Sequence, residues 1–353
     1  MAPDPAATQS PDVVRMSLAA AMTLGFKQGL FYRNARLYCI NLLLTYRKGC
    51  AARCAYCGLS AKRPGQYDKK SFIRVTWPVY TVTDIITAIR DRRQRVKRIC
   101  ISMITHSRAV ADTKTICARL RDAFDVPVSI LVSPTLVTTA DLLDFKVAGA
   151  DRIGVAIDLA TPELFDRYRG AGVGGPHRWD TYWQCLESAA GIWGDGCVGP
   201  HLMVGMGETE QEMCAAIQRA RDLGGRTHLF SFFPEAQSAL AQHPQPPMAH
   251  YRQIQLARHL IDHGLGRSDQ MAYDDKGRIT DFGRPRAELD AIIDSGEPFR
   301  TSGCEGYDGQ VACNRPYANS RPGPDIRNFP FQPDADDIRR IRRQMGHAPE
   351  CGA

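Results

Sequence analysis

Tyr38-Cys39-Ile40-Asn41-Leu42-Leu43-Leu44-Thr45-Tyr46-Arg47-Lys48-Gly49-Cys50-Ala51-Ala52-Arg53-Cys54-Ala55-Tyr56-Cys57 is the stretch on which the fold turns. Its apolar first part, Tyr38–Thr45, reads as a strand, and it runs straight into a polar loop with three cysteines. From there the chain alternates. Further strands are expected at Arg98–Met103, Val126–Val132, Arg152–Ile157, Pro200–Val204 and Arg226–Phe232. Helical patterns lie between them at Thr81–Val96, Thr113–Phe124, Thr139–Ala148, His177–Gly191 and Glu208–Leu223. Strands that are nearly continuously apolar, with helices between, imply a parallel sheet covered by helices. Six strands suit a partial (β/α) barrel, although the count alone does not separate a barrel from an open sheet.

The flanks have a different texture. Met1–Asp12 is rich in Pro and Ala, and Met16–Phe26 reads as an amphipathic helix of 11 residues. That is far short of the ~20 residues that span a bilayer. Past residue 240, Pro244–Pro247 breaks the pattern, Met248–Gly264 is helical, and Glu297–Pro333 is dense in Gly, Pro, Asn and Arg. Asp334–Met345 closes as a charged helix. The expected organisation is an N-terminal tail and helix (1–37), a partial barrel (38–240) and an irregular C-terminal extension (241–353). A long irregular stretch in a compact chain is functional or disordered.

The 353 residues are 44% hydrophobic and 24% charged, which excludes disorder over most of the length. The net charge of +7 is mild and no long basic run accompanies it, so nucleic-acid binding is not expected. Arg339-Arg340-Ile341-Arg342-Arg343 reads as a solvated helix face, or as a surface that steers an acidic carrier protein. The unusual number is 12 cysteines. With no convincing signal peptide, a cytoplasmic chain with reduced thiols is expected, and no membrane association.

Cys50, Cys54 and Cys57 form C-x3-C-x2-C directly after the first strand. Three close thiolates in one loop can hold three irons of a 4Fe–4S cube and leave the fourth iron open. Structural zinc needs four ligands, usually from paired C-x2-C units, and no such partner follows.

This motif, with an aromatic residue before its third cysteine and a βα context around it, resembles the radical S-adenosylmethionine (SAM) superfamily. The resemblance covers roughly Cys39–Glu235 and implies a partial (β/α)6 barrel. It also implies that the open iron chelates SAM and that the cluster's electron cleaves SAM to a 5′-deoxyadenosyl radical. By the same resemblance, the Tyr56 carbonyl meets the adenine edge, Asp158 the ribose hydroxyls and Arg178 the methionyl carboxylate. Gly205, in Met203-Val204-Gly205-Met206-Gly207-Glu208, lets the backbone approach adenosine. Ser102 stands where the family often has Gly-Gly-Glu for the methionyl amine, so Ser102-Met103-Ile104-Thr105 departs from the pattern. Bland alternatives stay open: a helix cap for Asp158, a surface position for Arg178, a tight turn for Gly205.

Ser231-Phe232-Phe233-Pro234-Glu235, Tyr251–Arg258 and Asn314–Gly323 look like the split, two-protein lipoyl synthases. That resemblance implies sulfur insertion into an octanoyl chain on a lipoyl-carrier protein, alongside a second radical SAM component and an electron donor such as ferredoxin or flavodoxin. It further implies a sacrificed auxiliary 4Fe–4S cluster. Cys304 and Cys313 lie in a polar, glycine-rich segment where burial does not explain them, and with Cys39 they are the candidate ligands. Ser302 or Ser320 could supply the fourth donor. The alternatives are a biotin-synthase-like enzyme, for which Cys100 lies on a suitable strand, and an iron–sulfur accessory subunit without radical turnover. No acid–base residue is expected to be catalytic, because the C–H bond breaks homolytically.

Overall fold

The computed structural model describes residues 8–33, 35–314, 323 and 325–346. Two elements precede the first expected strand. They are β1 (Val13–Met16) and α1 (Leu18–Thr23), the latter capped by the Ser17 hydroxyl, which accepts the Ala20 N–H. The sheet continues with β2 (Cys39–Leu44), β3 (Val79–Thr81), α2 (Val82–Asp91), β4 (Arg98–Ser102), α3 (Ala109–Ala123), β5 (Val128–Val132) and α4 (Thr139–Val147). Then come β6 (Ala150–Asp158), α5 (Pro162–Tyr168), α6 (Trp179–Trp193), β7 (Val198–Val204), α7 (Glu210–Asp222) and β8 (His228–Ser231). Beyond the sheet lie α8 (Met248–Asp262), the strand pair β9 (Ala272–Tyr273) and β10 (Ile279–Asp281), α9 (Arg286–Ser295) and α10 (Ala335–Gln344).

The strand order is β3-β1-β2-β4-β5-β6-β7-β8. From β2 to β8 the six core strands pair in parallel, as expected of a partial (β/α)6 barrel. Helices return the chain between them, and α4 and α7 each start with a reciprocal capping box, Thr138 with Asp141 and Thr209 with Glu212. Such caps start each helix promptly after its strand and leave short loops at the strand C-terminal ends.

The N-terminal reading needs correction. The helix is only Leu18–Thr23, and β1 joins the sheet antiparallel to both β2 and β3. Val13, Val14 and Met16 are buried there, so the segment covers an edge of β2 that would otherwise expose unpaired backbone groups. Arg15 is buried as well, and its guanidinium donates to the carbonyls of Trp77 (2.8 Å), Tyr67 (3.0 Å) and Lys70. A charge on a strand thus clamps the segment that follows the cysteine loop.

The C-terminal extension packs on the barrel. Arg252 and Gln255 of α8 donate to the carbonyls of Ile326 and Arg327, and the Tyr251 hydroxyl donates to Asn328. This explains the polar character of Tyr251–Arg258 in structural terms. Residues 301–314 close the N-terminal mouth of the barrel as a plug. Glu305 bridges Arg152 (2.6 Å) and Arg226 (3.3 Å), Lys97 pairs with Asp308, and Arg98 donates to the Glu305 carbonyl. Gly303 is required inside the plug, since a Cβ there would lie 2.0 Å from the Cys313 carbonyl oxygen. Ser320 and Cys351 lie outside the described residues, as does most of the Asn314–Gly323 segment. No helix among the described residues is long and apolar enough to cross a membrane.

Candidate active site

Two cavities lie inside the barrel. The upper one, about 210 Å³, opens at the strand C-terminal ends, where barrels build their sites. Cys50, Cys54 and Cys57 line it together. Their loop is pinned at both ends: the Ala51 N–H donates to the Thr105 carbonyl, and the Ala55 N–H to that of Tyr168. Gly49, at positive φ, turns the chain where a Cβ would strike the Tyr67 ring at 2.8 Å. Burial pushes the Cys54 thiol up to about 11, with Arg169 pulling the other way. Burial raises Cys57 too. Among the described residues no three His, Cys, Asp or Glu side chains gather as a site for one metal ion. A cubane asks for a different arrangement, because each thiolate takes its own iron.

Beside the cysteines runs a hydrogen-bonded chain. The Tyr56 hydroxyl donates to Asp158 Oδ2 (2.6 Å), and Arg169 Nη1 donates to the Tyr56 oxygen (2.6 Å) and to Asp158. Arg169 Nη2 reaches the Tyr182 hydroxyl (3.0 Å), which in turn meets His177 Nδ1 (2.9 Å). Burial, then Arg169 and Arg178, push His177 down to about 2, so its ring is neutral. Asp158 sits at the end of β6 with φ of 67°, just past a register shift. A non-glycine residue held in that region marks an over-determined position. The helix cap that follows is Thr161, so capping is not the role of Asp158.

Of the residues expected to meet SAM, Tyr56, Ser102 and Asp158 line this cavity. Arg178 is not brought to it. Its guanidinium is spent on the carbonyls of Gly175 and His177 (3.3 and 2.9 Å), and Arg169 takes the place at the cavity wall. Gly205 does not line the cavity either. Its N–H donates to Glu208 and its carbonyl accepts from His243, and a Cβ would lie 2.5 Å from Pro246. It serves the turn after β7.

Arg169 also supplies a test of fit. Its buried Nε has no hydrogen-bond partner among the described residues. A buried cationic donor beside three thiols, on an otherwise largely apolar wall, suits an anionic cluster and the carboxylate or ribose oxygens of SAM.

The lower cavity lies beneath, separated by Leu131, His201 and Phe230, which line both. Cys100, Cys304 and Cys313 line it. Cys39 joins them: the Asn41 amide donates to Cys39 Sγ (3.5 Å) and to Cys313 Sγ (3.4 Å). The expected set of Cys39, Cys304 and Cys313 therefore converges in space from positions more than 260 residues apart. Burial raises the Cys39 thiol well above its ordinary range, helped by a hydrogen bond with Cys313. Burial lifts Cys304 to about 12, against the pull of buried Arg98. His228 Nε2 lies 3.9 Å from Cys304 Sγ. Ser302 Oγ accepts the Leu229 N–H at 2.9 Å, so the donor suggested for a cluster is engaged with backbone.

Three thiols and two imidazoles, those of His201 and His228, line this cavity with no carboxylate among its lining residues, and they are donors that soft transition metals accept. The groups leave about 10 Å³ between them, room for one water. Seating a cube requires the thiols to turn apart. Two of them ride on the plug, which is held to the barrel by side-chain hydrogen bonds and ion pairs.

Comparison with known proteins now has a geometry to meet. The sequence model of the Radical SAM superfamily matches residues 45–225, just over half of the chain. The chain belongs to the radical SAM superfamily. It is thus a radical SAM enzyme by family, with the iron–sulfur cluster and SAM that the family uses. Similar solved structures include HydG, a maturase of the [FeFe]-hydrogenase, at 12% identity and a TM-score of 0.53, covering 70% of this chain and 54% of that one. The HydG from Carboxydothermus hydrogenoformans has 13% identity and a TM-score of 0.51, covering 84% and 74%. This chain therefore spans about half the length of the first of these, and at such identity the likeness is one of fold. No curated protein matches.

Sequence reasoning missed Arg169, His177, His201 and His228 as wall residues, and weighed Cys100 only as a ligand in the biotin-synthase-like alternative. A signal was present. Cys100 and Ser102 alternate with Ile99 and Ile101 on β4, and His201 alternates with Leu202 on β7. Polar residues at period two inside apolar strands point into the barrel.

Proposed function

We propose that this radical SAM enzyme inserts sulfur into an octanoyl chain carried on a lysine of a lipoyl-carrier protein, as in the split lipoyl synthases its sequence resembles. The observation that supports this is the convergence of Cys39, Cys304 and Cys313 directly below the cavity that holds Cys50, Cys54 and Cys57. Cys50, Cys54 and Cys57 would hold the first 4Fe–4S cluster, and Cys39, Cys304 and Cys313 the second, as sulfur source. With SAM bound, the first cluster supplies a radical able to take hydrogen from an unactivated carbon, and the second offers sulfide to the carbon left behind.

The chain's own residues then have simple tasks. Arg169, fixed by Asp158, Tyr56 and Tyr182, holds a buried donor at the cavity wall. Phe230, Phe232, Met203 and Leu131 give the cavity an apolar wall. Each methylene buried there contributes about 0.8 kcal/mol, so an eight-carbon chain is held without polar recognition. The same walls exclude water from the reacting carbon. The plug keeps the lower cavity closed toward the opposite mouth of the barrel.

A second radical SAM component and a ferredoxin or flavodoxin complete the system in this reading. The test is anaerobic turnover with that component, SAM, a reductant and an octanoyl-lysine peptide, followed by mass spectrometry. Sulfur-containing peptide is expected. Formation of 5′-deoxyadenosine with only unmodified peptide, although the second cluster is intact, would overturn the assignment. A biotin-synthase-like site is less well supported: next to Cys100, the inward position on β5 is Ser129.

A further inference from the structure

We propose that Cys100 is the fourth thiolate of the second site, completing a four-cysteine set with Cys39, Cys304 and Cys313. The inference rests on the reading that those three hold a cluster, and it names a ligand that neither their spacing nor the plug reveals.

β2 and β4 are parallel neighbours, and their register sets Asn41 beside Cys100. Asn41 is the residue whose amide touches both Cys39 Sγ and Cys313 Sγ. Cys100 therefore lies one strand across from the side chain at the centre of the set. Its direction follows from alternation. Ser102, two residues on, lines the upper cavity, and Cys100 lines the lower one with Cys304 and Cys313. Ile99 and Ile101, on the other face, are fully buried toward the helices.

Beside Ile130, Leu131 and Phe230, the cavity it faces carries His201 and His228 and the thiols of Cys304 and Cys313, so Cys100 meets side chains of metal-ligating type as well as apolar ones. Of the rival fourth donors, Ser302 Oγ is hydrogen bonded to a backbone N–H, and His228 Nε2 stands 3.9 Å from Cys304 Sγ. Four thiolates add negative charge in a buried site, which calls for a compensating cation. Arg98 is a buried cation near the set: it is 1% exposed, begins the same strand two residues before Cys100, and shares its guanidinium with Asp151 (2.6 Å). Asn41 then stands as an N–H donor to cluster sulfur, an interaction that tunes reduction potential.

The test uses full-length protein in which Cys50, Cys54 and Cys57 are all replaced by Ala, so that only the second site binds iron. After anaerobic reconstitution this background should hold about four irons per chain. Adding Cys304→Ala and Cys313→Ala together, which leaves only two thiolates, should remove nearly all of them. Adding Cys100→Ala should instead leave a site that drops to about three irons on mild oxidation and gives the EPR signal of a three-iron cluster. If the double variant empties the site but Cys100→Ala keeps the full iron count without that signal, Cys100 is not a ligand and the second-cluster reading survives. If the background binds no iron, the reading and this inference fail together. Pulsed EPR on the reduced background, with Cys100 intact, covers the case of a misfolded variant. No directly bound nitrogen is expected, whereas a strong nitrogen coupling that vanishes with His228→Gln would give the fourth position to histidine and overturn the proposal.

Discussion

Replacing Arg169 with Met should damage stability and cofactor affinity together, by amounts the structure allows to be worked out. Arg169 pairs with Asp158, and the two side chains are 10% and 17% exposed, so water screens them little. Arg169 also donates to Tyr56 and Tyr182. Removing one partner of such a pair leaves a buried charge uncompensated and costs about 3–5 kcal/mol. At roughly 2 °C per kcal/mol, the low end suited to a chain of this length, Tm should fall by about 6–10 °C. The double variant with Asp158→Asn removes the stranded carboxylate and should recover more than half of that loss. In KM for SAM, loss of a charged hydrogen bond of about 1.5–3 kcal/mol should appear as a ten- to hundredfold increase. Anaerobic circular-dichroism melts and 5′-deoxyadenosine formation at varied SAM read both quantities. A variant with Tm within about 2 °C of the parent, on the same scale, and an unchanged KM would refute the role given to this network.

Two further perturbations probe the supports of the site. Arg15→Met strands the carbonyls of Trp77 and Lys70 and leaves that of Tyr67 with only the Lys70 N–H, at about 1–3 kcal/mol for each stranded group, so chemical denaturation should show a loss of at least about 2 kcal/mol and weaker iron retention at the first site. His250 faces Glu208 (3.9 Å) and Glu210 (3.2 Å); burial pulls its imidazole down, but the two carboxylates outweigh that and raise it to about 9. Because the folded value exceeds the unfolded value of about 6.5, its stabilisation is complete below that pH and disappears as pH rises toward 9, roughly 3 kcal/mol in all. His250→Gln should flatten this slope in melts taken from pH 6 to 9.5 (about half a unit beyond each end of the titration), and an identical slope would remove His250 as its source.

Much of this architecture was legible because it depends on local patterns. The βα alternation and the Cys50–Cys57 loop are contiguous signals, and the six parallel strands lie where the apolar runs place them. The pairing of Cys39 with Cys304 and Cys313 could be guessed only because Cys304 and Cys313 are cysteines in a segment with no apolar reason to hold them. Arg178 and Arg169 show where sequence reading fails. Arg169 ends α5 and Arg178 precedes α6, and only the fold turns one toward Asp158 and the other toward backbone carbonyls. β1 was hidden for a similar reason. Four residues with a central arginine look amphipathic until the carbonyls that Arg15 binds, up to 62 positions away, are in place. Inward side chains such as Cys100 and His201 are set by strand register, which composition does not report.

The central claim is that one barrel carries two stacked cysteine sites for two clusters. Iron and sulfide quantification with Mössbauer spectroscopy on anaerobically reconstituted protein tests it most directly. About eight irons per chain are expected, falling to about four when Cys304 and Cys313 are both replaced by Ala, while SAM cleavage persists. About four irons in the parent, unchanged in that double variant, would contradict the account and leave a radical SAM enzyme with a single cluster.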